Sequence, residues 1–255
     1  MPIAITRDIS PAIVRCELTH LARQPIDLAK ARAQHDAYER CVTDAGYQVV
    51  RLAAGPDMSD SVFVEDIAVV FDEVAVITRP GAPSRRAETD AIAEALRAYR
   101  PLRDIDPPGT IDGGDVLVAG KRVYIGESSR TNRAAISQMA QILEPYGYTV
   151  EAVDVHGCLH LKSAVTAVSD DTLLINREWA PAERFLPFTL IDVDPGEPFG
   201  ANALRVAEGL IYPSMFPRTL ARLLERGLSV RAVEASELAK AEGAVTCCSL
   251  LVSHP

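Results

Sequence analysis

The chain has 255 residues, 48% of them hydrophobic, and a formal net charge of -9. That length can bury a large core, while the acidic balance argues against nucleic acid or an anionic membrane as partner, since both select basic surfaces. No run approaches the ~18 consecutive apolar residues of a membrane span, the first ten residues lack a signal-peptide layout, and five irregularly spaced cysteines make no disulfide framework, so a reducing cytoplasm is the expected location.

Asp27 predicts the N-cap of a helix over 28–45, in which Leu28, Ala31, His35, Tyr38, Val42 and Ala45 recur at helical spacing and Gly46 supplies the stop. A strand over 47–52 follows. Two extended runs, 61–71 and 74–78, read as a hairpin about Asp72-Glu73, and Ser84 predicts the cap of a helix to Tyr99. The pattern then recurs. A hairpin over 115–119 and 122–126 precedes a helix from Thr131 to about Glu144 and a strand over 148–153. Next come a hairpin over 160–168 and 172–176, a helix interrupted by Pro181, and a strand over 188–193. The last full round is a hairpin over 202–206 and 210–212 turning at Glu208-Gly209, a helix over 217–226 and an extended stretch over 228–233. Finally, 243–251 reads as a strand carrying two adjacent thiols, and 3–6 is the extended stretch left to pair with it.

The chain therefore reads as hairpin, helix, strand, repeated about five times with a period of roughly 40 to 50 residues. The N-terminal strand completes the last hairpin. A repeat that joins its own ends implies closed radial symmetry, which leaves few exposed sheet edges. Hairpins contradict a doubly wound sheet, which needs single parallel strands between helices. With no linker or low-complexity tract, 1–255 is expected to be one α/β domain.

In such a ring the starts of corresponding hairpins converge on the axis. Those positions hold Asp60 to Asp66, Asp112-Gly113-Gly114-Asp115, His160, Asn202 and Cys247. Singly, each has an ordinary explanation: an Asp before Gly-Gly is a turn residue, a lone His between leucines is packed core, and a buried Cys is an inert small hydrophobe. Together they place one thiol, one imidazole and several carboxylates around one point. Adjacent side chains on a strand point apart, so only Cys247 or Cys248 can face that point.

The motifs Ser61-Val62-Phe63-Val64-Glu65-Asp66, Arg79-Pro80-Gly81 with Ser84-Arg85-Arg86, Thr110-Ile111-Asp112-Gly113-Gly114-Asp115, Arg130-Thr131-Asn132, Leu159-His160-Leu161-Lys162 and Thr246-Cys247-Cys248-Ser249 closely resemble the dimethylarginine dimethylaminohydrolase family. The resemblance runs from about Leu18 to Leu251. It implies the pentein fold, a five-bladed α/β propeller of ββαβ units around a pseudo-fivefold axis. It also implies hydrolysis of methylated arginines to citrulline through a covalent thiouronium on Cys247, with His160 as acid and then base and Asp112 at the third catalytic position. By the same resemblance Asp66 takes the guanidinium, Asp60 and Glu65 add polar contacts, and Arg85 and Arg130 clamp the α-carboxylate. The carbonyls of Leu18 and Ala241 would receive the α-amino group, Leu18 from a loop that closes over the site. A small-molecule guanidine is thus the expected partner, and the exposed blade helices leave room for a homodimer.

No cofactor is expected. Cys158, His160, Cys247 and Cys248 are potential zinc ligands, but paired Cys-x2-Cys knuckles are lacking, and zinc at Cys247 and His160 would be inhibitory. An arginine deiminase-like hydrolase and a non-catalytic propeller binding protein are the competing readings; the first normally carries an extra helical domain, for which this chain has no insertion.

Overall fold

The computed structural model describes residues 1–207 and 209–253, so the expected turn residue Glu208 lies outside the described residues. Strand β1 (Ile3–Arg7) leads through α1 (Leu28–Asp44) to β2 (Gln48–Leu52). The next two blades are β3 (Ala68–Val70), β4 (Ala75–Ile77), α2 (Thr89–Leu96) and β5 (Leu102–Asp104), then β6 (Val116–Ala119), β7 (Arg122–Glu127), α3 (Arg133–Leu143) and β8 (Thr149–Asp154). After these come α4 (Leu161–Ala164), β9 (Val165–Ala167), β10 (Thr172–Ile175) and β11 (Thr189–Asp192). The remainder is β12 (Leu204–Val206), β13 (Gly209–Pro213), α5 (Pro217–Glu225), β14 (Val230–Val233), α6 (Ser236–Ala239) and β15 (Leu250–Val252).

These strands form five sheets of three, each with the same plan. An inner strand pairs antiparallel with a middle strand, which pairs parallel with an outer one, as in β6-β7-β8. The ring closes where β1 pairs antiparallel with β15 and parallel with β2, with Ala4 opposite Leu251 and Val49. The fold is the expected five-bladed α/β propeller, sealed by its N-terminal strand.

Middle strands lie between neighbours on both edges and helices outside, so β1 and β4 are buried along their whole length. Outer strands are more exposed, as in β2, where Gln48 and Arg51 face solvent while Val49, Val50 and Leu52 are half-buried. Asp27 caps α1 as its sequence position predicts, accepting from the amide of Lys30 at 3.0 Å. Gly46 then ends the helix at φ +93°, a value that costs glycine nothing. Helix α3 drops Ala135, Ile136, Met139 and Leu143 onto Val123, Ile125 and Tyr148, and burying each large side chain contributes roughly 1.5–3 kcal/mol.

Several elements differ from expectation, and most differ in one way. Each of four inner strands is entered through a single helical turn: Val64–Ile67, Gly113–Asp115, Leu161–Ala164 and Thr246–Cys248. The extended runs expected over 61–71, 160–168 and 243–251 are therefore interrupted at their starts. Side chain to backbone bonds favour the turn over a ladder, as when Asn202 Oδ1 accepts from the amide of Thr246 at 3.1 Å. Ser84 caps no helix; it lies in a 3-10 segment, Pro83–Glu88, and α2 begins only at Thr89. In the fourth blade Pro181 reduces the helix to the turn Ala182–Phe185. Strand β5 was not expected, since Leu-Arg-Asp with two exposed residues carries almost no periodic signal.

Candidate active site

The turns Val64–Ile67 and Thr246–Cys248, and the residue before Leu161, place side chains on a small cavity of about 20 Å³, room for about one water. Seven of the sequence-predicted residues line it: Asp60, Asp66, Arg85, Arg130, His160, Ala241 and Cys247. Asp112, Glu65 and Leu18 do not. Asp112 is fully buried behind His160. Glu65 lies beyond the Cys247 turn, facing a second cavity with Lys162 and Thr246. Leu18 packs on the core beside α1, while its neighbour Glu17 reaches the lining.

The thiols separate as expected, although on a turn rather than a strand. With three residues per turn, neighbours still diverge by about 120°. Cys247 lines the cavity, accepting from the amide of Ala244 at 3.4 Å, while Cys248 packs in the core and donates to the Ala244 carbonyl at 3.4 Å. Burial pushes the Cys247 thiol pKa well up, and the charges of Glu65 and Asp66 push it further.

Asp112 Oδ2 and His160 Nε2 lie 3.1 Å apart, and Asp112 Oδ1 accepts from the amide of Gly81 at 2.9 Å. On its other side, His160 Nδ1 is 3.7 Å from Asp66 Oδ1. Burial opposes the imidazolium, but Asp66, Asp112 and Asp115 outweigh it and raise His160 to about 9. Asp66 shows the reciprocal effect. Burial works against its charge, yet His160 and Arg85 hold it below the usual carboxylate range.

The two arginines differ. Arg85 is buried, and its guanidinium bonds Asp66 Oδ2 at 2.5 Å, Glu88 Oε2 at 2.8 Å and the carbonyls of Asp60 and Phe63 at 3.1 and 2.9 Å. It is a structural hub. Arg130 is looser: Nη2 donates to Thr19 Oγ1 at 3.2 Å and Nη1 is 3.8 Å from Asp112 Oδ2. Asp60 accepts from the amide of Glu17 at 3.2 Å and from Ser59 Oγ at 2.5 Å, and burial raises its pKa.

Asp115, Glu65 and Asn202, singled out in the sequence, act through partners that it did not show, because Ser128, Thr131, Lys162 and Thr246 each look like ordinary strand or turn residues. Asp115 accepts from Ser128 Oγ and Thr131 Oγ1 at 2.6 Å each and from the amide of Leu161 at 2.9 Å, which fixes the turn following His160. Beneath Cys247, Glu65 takes Lys162 Nζ at 2.5 Å and Thr246 Oγ1 at 2.7 Å. Asn202 Nδ2 donates to Thr246 Oγ1 at 2.9 Å. The Gly-Gly pair is a matter of space. A Cβ on Gly113 would meet the Glu65 carbonyl oxygen at 2.0 Å, and one on Gly114 would meet His160 Nδ1 at 2.5 Å.

Among the described residues, the metal-ligating side chains that converge are Asp66, Asp112 and His160, within 4.8 Å of one another. Their donor atoms already face Arg85, Gly81 and each other. Cys158 turns away, donating to the His160 carbonyl at 3.3 Å. The arrangement suits a cationic, planar ligand: carboxylate on one side, thiol on another, a protonated imidazole between.

A family model for eukaryotic N,N dimethylarginine dimethylhydrolase matches residues 19–184. The N(G),N(G)-dimethylarginine dimethylaminohydrolase of Streptomyces coelicolor is 40% identical over 252 residues, covering 97% of this chain and 95% of its own. Among solved structures, a cysteine-to-serine mutant of the Pseudomonas aeruginosa enzyme complexed with citrulline superposes with a TM-score of 0.92 at 36% identity, covering 97% of this chain and 98% of that one. A histidine-to-glycine dimethylarginine dimethylaminohydrolase, an adduct with S-methyl-L-thiocitrulline, gives 0.93 at 36% identity over the same shares.

Proposed function

The chain belongs to the dimethylarginine dimethylaminohydrolase family, and on that footing we propose that it hydrolyses Nω-methylated arginines to citrulline and dimethylamine or methylamine with Cys247 as nucleophile. The observation that carries the reading is one cavity walled by Cys247, His160, Asp66 and Arg130 together. A guanidinium carbon is a poor electrophile because its charge is delocalised; a thiolate attacks it better than water, and covalent catalysis divides the reaction in two.

Asp66 receives the guanidinium by charge-assisted hydrogen bonds, for which Arg85 must share its carboxylate. The ligand's positive charge arrives beside a thiol whose pKa burial and two carboxylates hold high, and it favours the thiolate, the thiol proton passing to solvent. Cys247 Sγ bonds to the central carbon, giving a tetrahedral adduct. His160, protonated at neutral pH, gives its proton to the departing amine as the C–N bond breaks. The thiouronium that remains takes a water whose proton passes to the now neutral His160. The C–S bond then breaks as the adduct's hydroxyl proton passes to the sulfur, citrulline leaves, and the thiol is restored. The amine departs neutral and takes up the proton that the thiol released, so the positive charge that enters with the guanidinium leaves on the dimethylammonium ion.

Asp112 holds His160 and favours its charged form. Arg130 takes the α-carboxylate, with Arg85 supporting it through Asp66. The carbonyls of Leu18 and Ala241 take the α-amino group, Asp60 shapes the wall through Glu17, and Glu65 acts from beneath the Cys247 turn. Thiol, imidazole and water suffice for this sequence, so no cofactor is assigned, and the whole chain acts as one catalytic domain. No helix among the described residues is long and apolar enough to cross a membrane. The described cysteines Cys16, Cys41, Cys158, Cys247 and Cys248 are all free thiols, which supports a reducing, cytoplasmic location.

The deciding experiment measures citrulline from arginine, monomethylarginine and asymmetric dimethylarginine with the wild type and with Cys247→Ser. Product from the methylated substrates, abolished by the substitution, is the expected result. Product from arginine alone would indicate a deiminase-like specificity, and none from any substrate would overturn the assignment.

A further inference from the structure

Glu242 stands between Ala241 and Gly243 and, with them, lines the catalytic cavity. Its backbone sits at φ +58°, the left-handed region, which no other non-glycine adopts among the described residues. An L-residue keeps such a conformation only where its surroundings insist on it. Here the insistence has a visible direction. Glu242 Oε2 accepts from the amide of Thr19 at 2.9 Å, and Oε1 accepts from the amides of His20 and Leu21 at 2.6 Å each. One carboxylate thus receives three consecutive amides of the segment after Cys16.

That segment is otherwise held mainly by side chains reaching toward it. The Glu17 amide donates to Asp60 at 3.2 Å, Ser84 Oγ donates to Glu17 Oε1 at 2.7 Å, and Arg130 donates to Thr19 Oγ1 at 3.2 Å. His20, Leu21 and Gln24 line an apolar cleft of about 350 Å³ that Glu242 also walls, so the segment has open space against it. The catalytic cavity, which this segment walls through Glu17, is about 20 Å³, far smaller than the several hundred Å³ that enclose a typical ligand. An amino-acid substrate cannot be admitted until the cover lifts.

We propose that Glu242 is the latch of this cover: a positioning residue that holds Thr19–Leu21 closed over the bound guanidine and releases them for exchange with solvent. The geometry also links latch and ligand. Arg130 bonds the same Thr19, so an α-carboxylate that draws Arg130 inward bears on the segment Glu242 holds. The kinetic part of this inference rests on the hydrolase reading; the latch itself does not.

Two variants test it. In Glu242→Gly the carboxylate is removed while the left-handed backbone becomes unstrained; in Glu242→Gln the side chain keeps its length but offers a donor where Thr19 needs an acceptor. Amide hydrogen exchange on the full chain should be about tenfold or more faster at Thr19, His20 and Leu21 in Glu242→Gly, with the β-strands unchanged, and less accelerated in Glu242→Gln. With asymmetric dimethylarginine, KM should rise several-fold while kcat changes less, since closure rather than chemistry is impaired. Should Glu242→Gly fold poorly, faster exchange at Thr19 in Glu242→Gln alone supports the latch. Wild-type protection of these three amides in every folded variant overturns it, whatever the activity; faster exchange with no citrulline from the wild type would retain the latch and reject the hydrolase.

Discussion

His160 Nε2 and Asp112 Oδ2 meet at 3.1 Å where neither side chain has appreciable access to water, Asp112 being 0% and His160 6% exposed. Their pairing, with Asp66 on the far side of the ring, moves His160 from the ordinary histidine range to about 9. A raised folded-state pKa stabilises the native protein fully below the unfolded value near 6.5, and that contribution disappears as pH rises through about 9. The histidine signal in a ¹H–¹³C NMR titration should therefore move near pH 9 in the wild type. In Asp112→Asn it should move at lower pH, with the alkaline limb of kcat following it. A His160 that titrates near 6.5 in the wild type would contradict this account.

Cys247 carries the opposite perturbation, since burial, Glu65 and Asp66 all disfavour its thiolate. The free protein should show no Cys247 thiolate at pH 7, nor a step at the ordinary thiol value of about 8.5. The check is ultraviolet absorbance of the thiolate against pH, taken as wild type minus Cys247→Ser. A cationic haloamidine should alkylate Cys247 far faster than a neutral haloamide of equal size, because only the former brings a compensating charge. Equal rates would mean that the thiolate is already present.

Gly114→Ala isolates geometry from charge. The added methyl would lie 2.5 Å from His160 Nδ1 and 2.8 Å from Asp66 Oδ1, so the imidazole must shift. A displacement of about 1 Å in a catalytic group can cost on the order of 10²-fold in rate. We expect that loss in kcat with cooperative unfolding retained, as measured by steady-state kinetics and thermal melting.

Lys162 and Glu65 form a pair that is mostly enclosed, with side chains 15% and 11% exposed. Lys162→Met leaves the carboxylate without its cation under the Cys247 turn, and breaking a buried pair costs about 3–5 kcal/mol. Urea unfolding should show a loss of that order, discounted somewhat for residual exposure. Lys162→Met with Glu65→Gln should recover part of it. An unchanged midpoint in the single variant would show that the pair contributes little.

Much of this was legible in the sequence for a simple reason. A propeller blade repeats hairpin, helix and strand, and the turn and cap chemistry at Asp27 and Gly46 marks the borders of its elements locally. The ring closure could be inferred because the stretches at 3–6 and 243–251 each lacked a partner, and β1 with β15 supplies it. The short turns before the inner strands were not legible. They are set by distant partners, as when Asn202 takes the Thr246 amide, and local propensity does not report such contacts. Strand β5 was missed because three residues cannot express an alternation.

The site shows the same division. Which residue types gather at the axis followed from the period of the repeat and from family likeness. How they are shared did not. No local pattern announces that Arg85 spends its donors on Asp66, Glu88 and two carbonyls, or that Glu65 faces away from the catalytic cavity. Those facts depend on side-chain direction at positions far apart in the chain.

The seal between β1 and β15 also carries a temporal meaning. During synthesis the first strand emerges early yet lacks one edge until almost all the remaining chain has been made. Cys247 sits on the turn that leads into β15, so the segment that shuts the circle also delivers the sulfur. A nascent chain therefore holds its acids and imidazole without the Cys247 thiol beside them, and the cavity is whole only with topological completion.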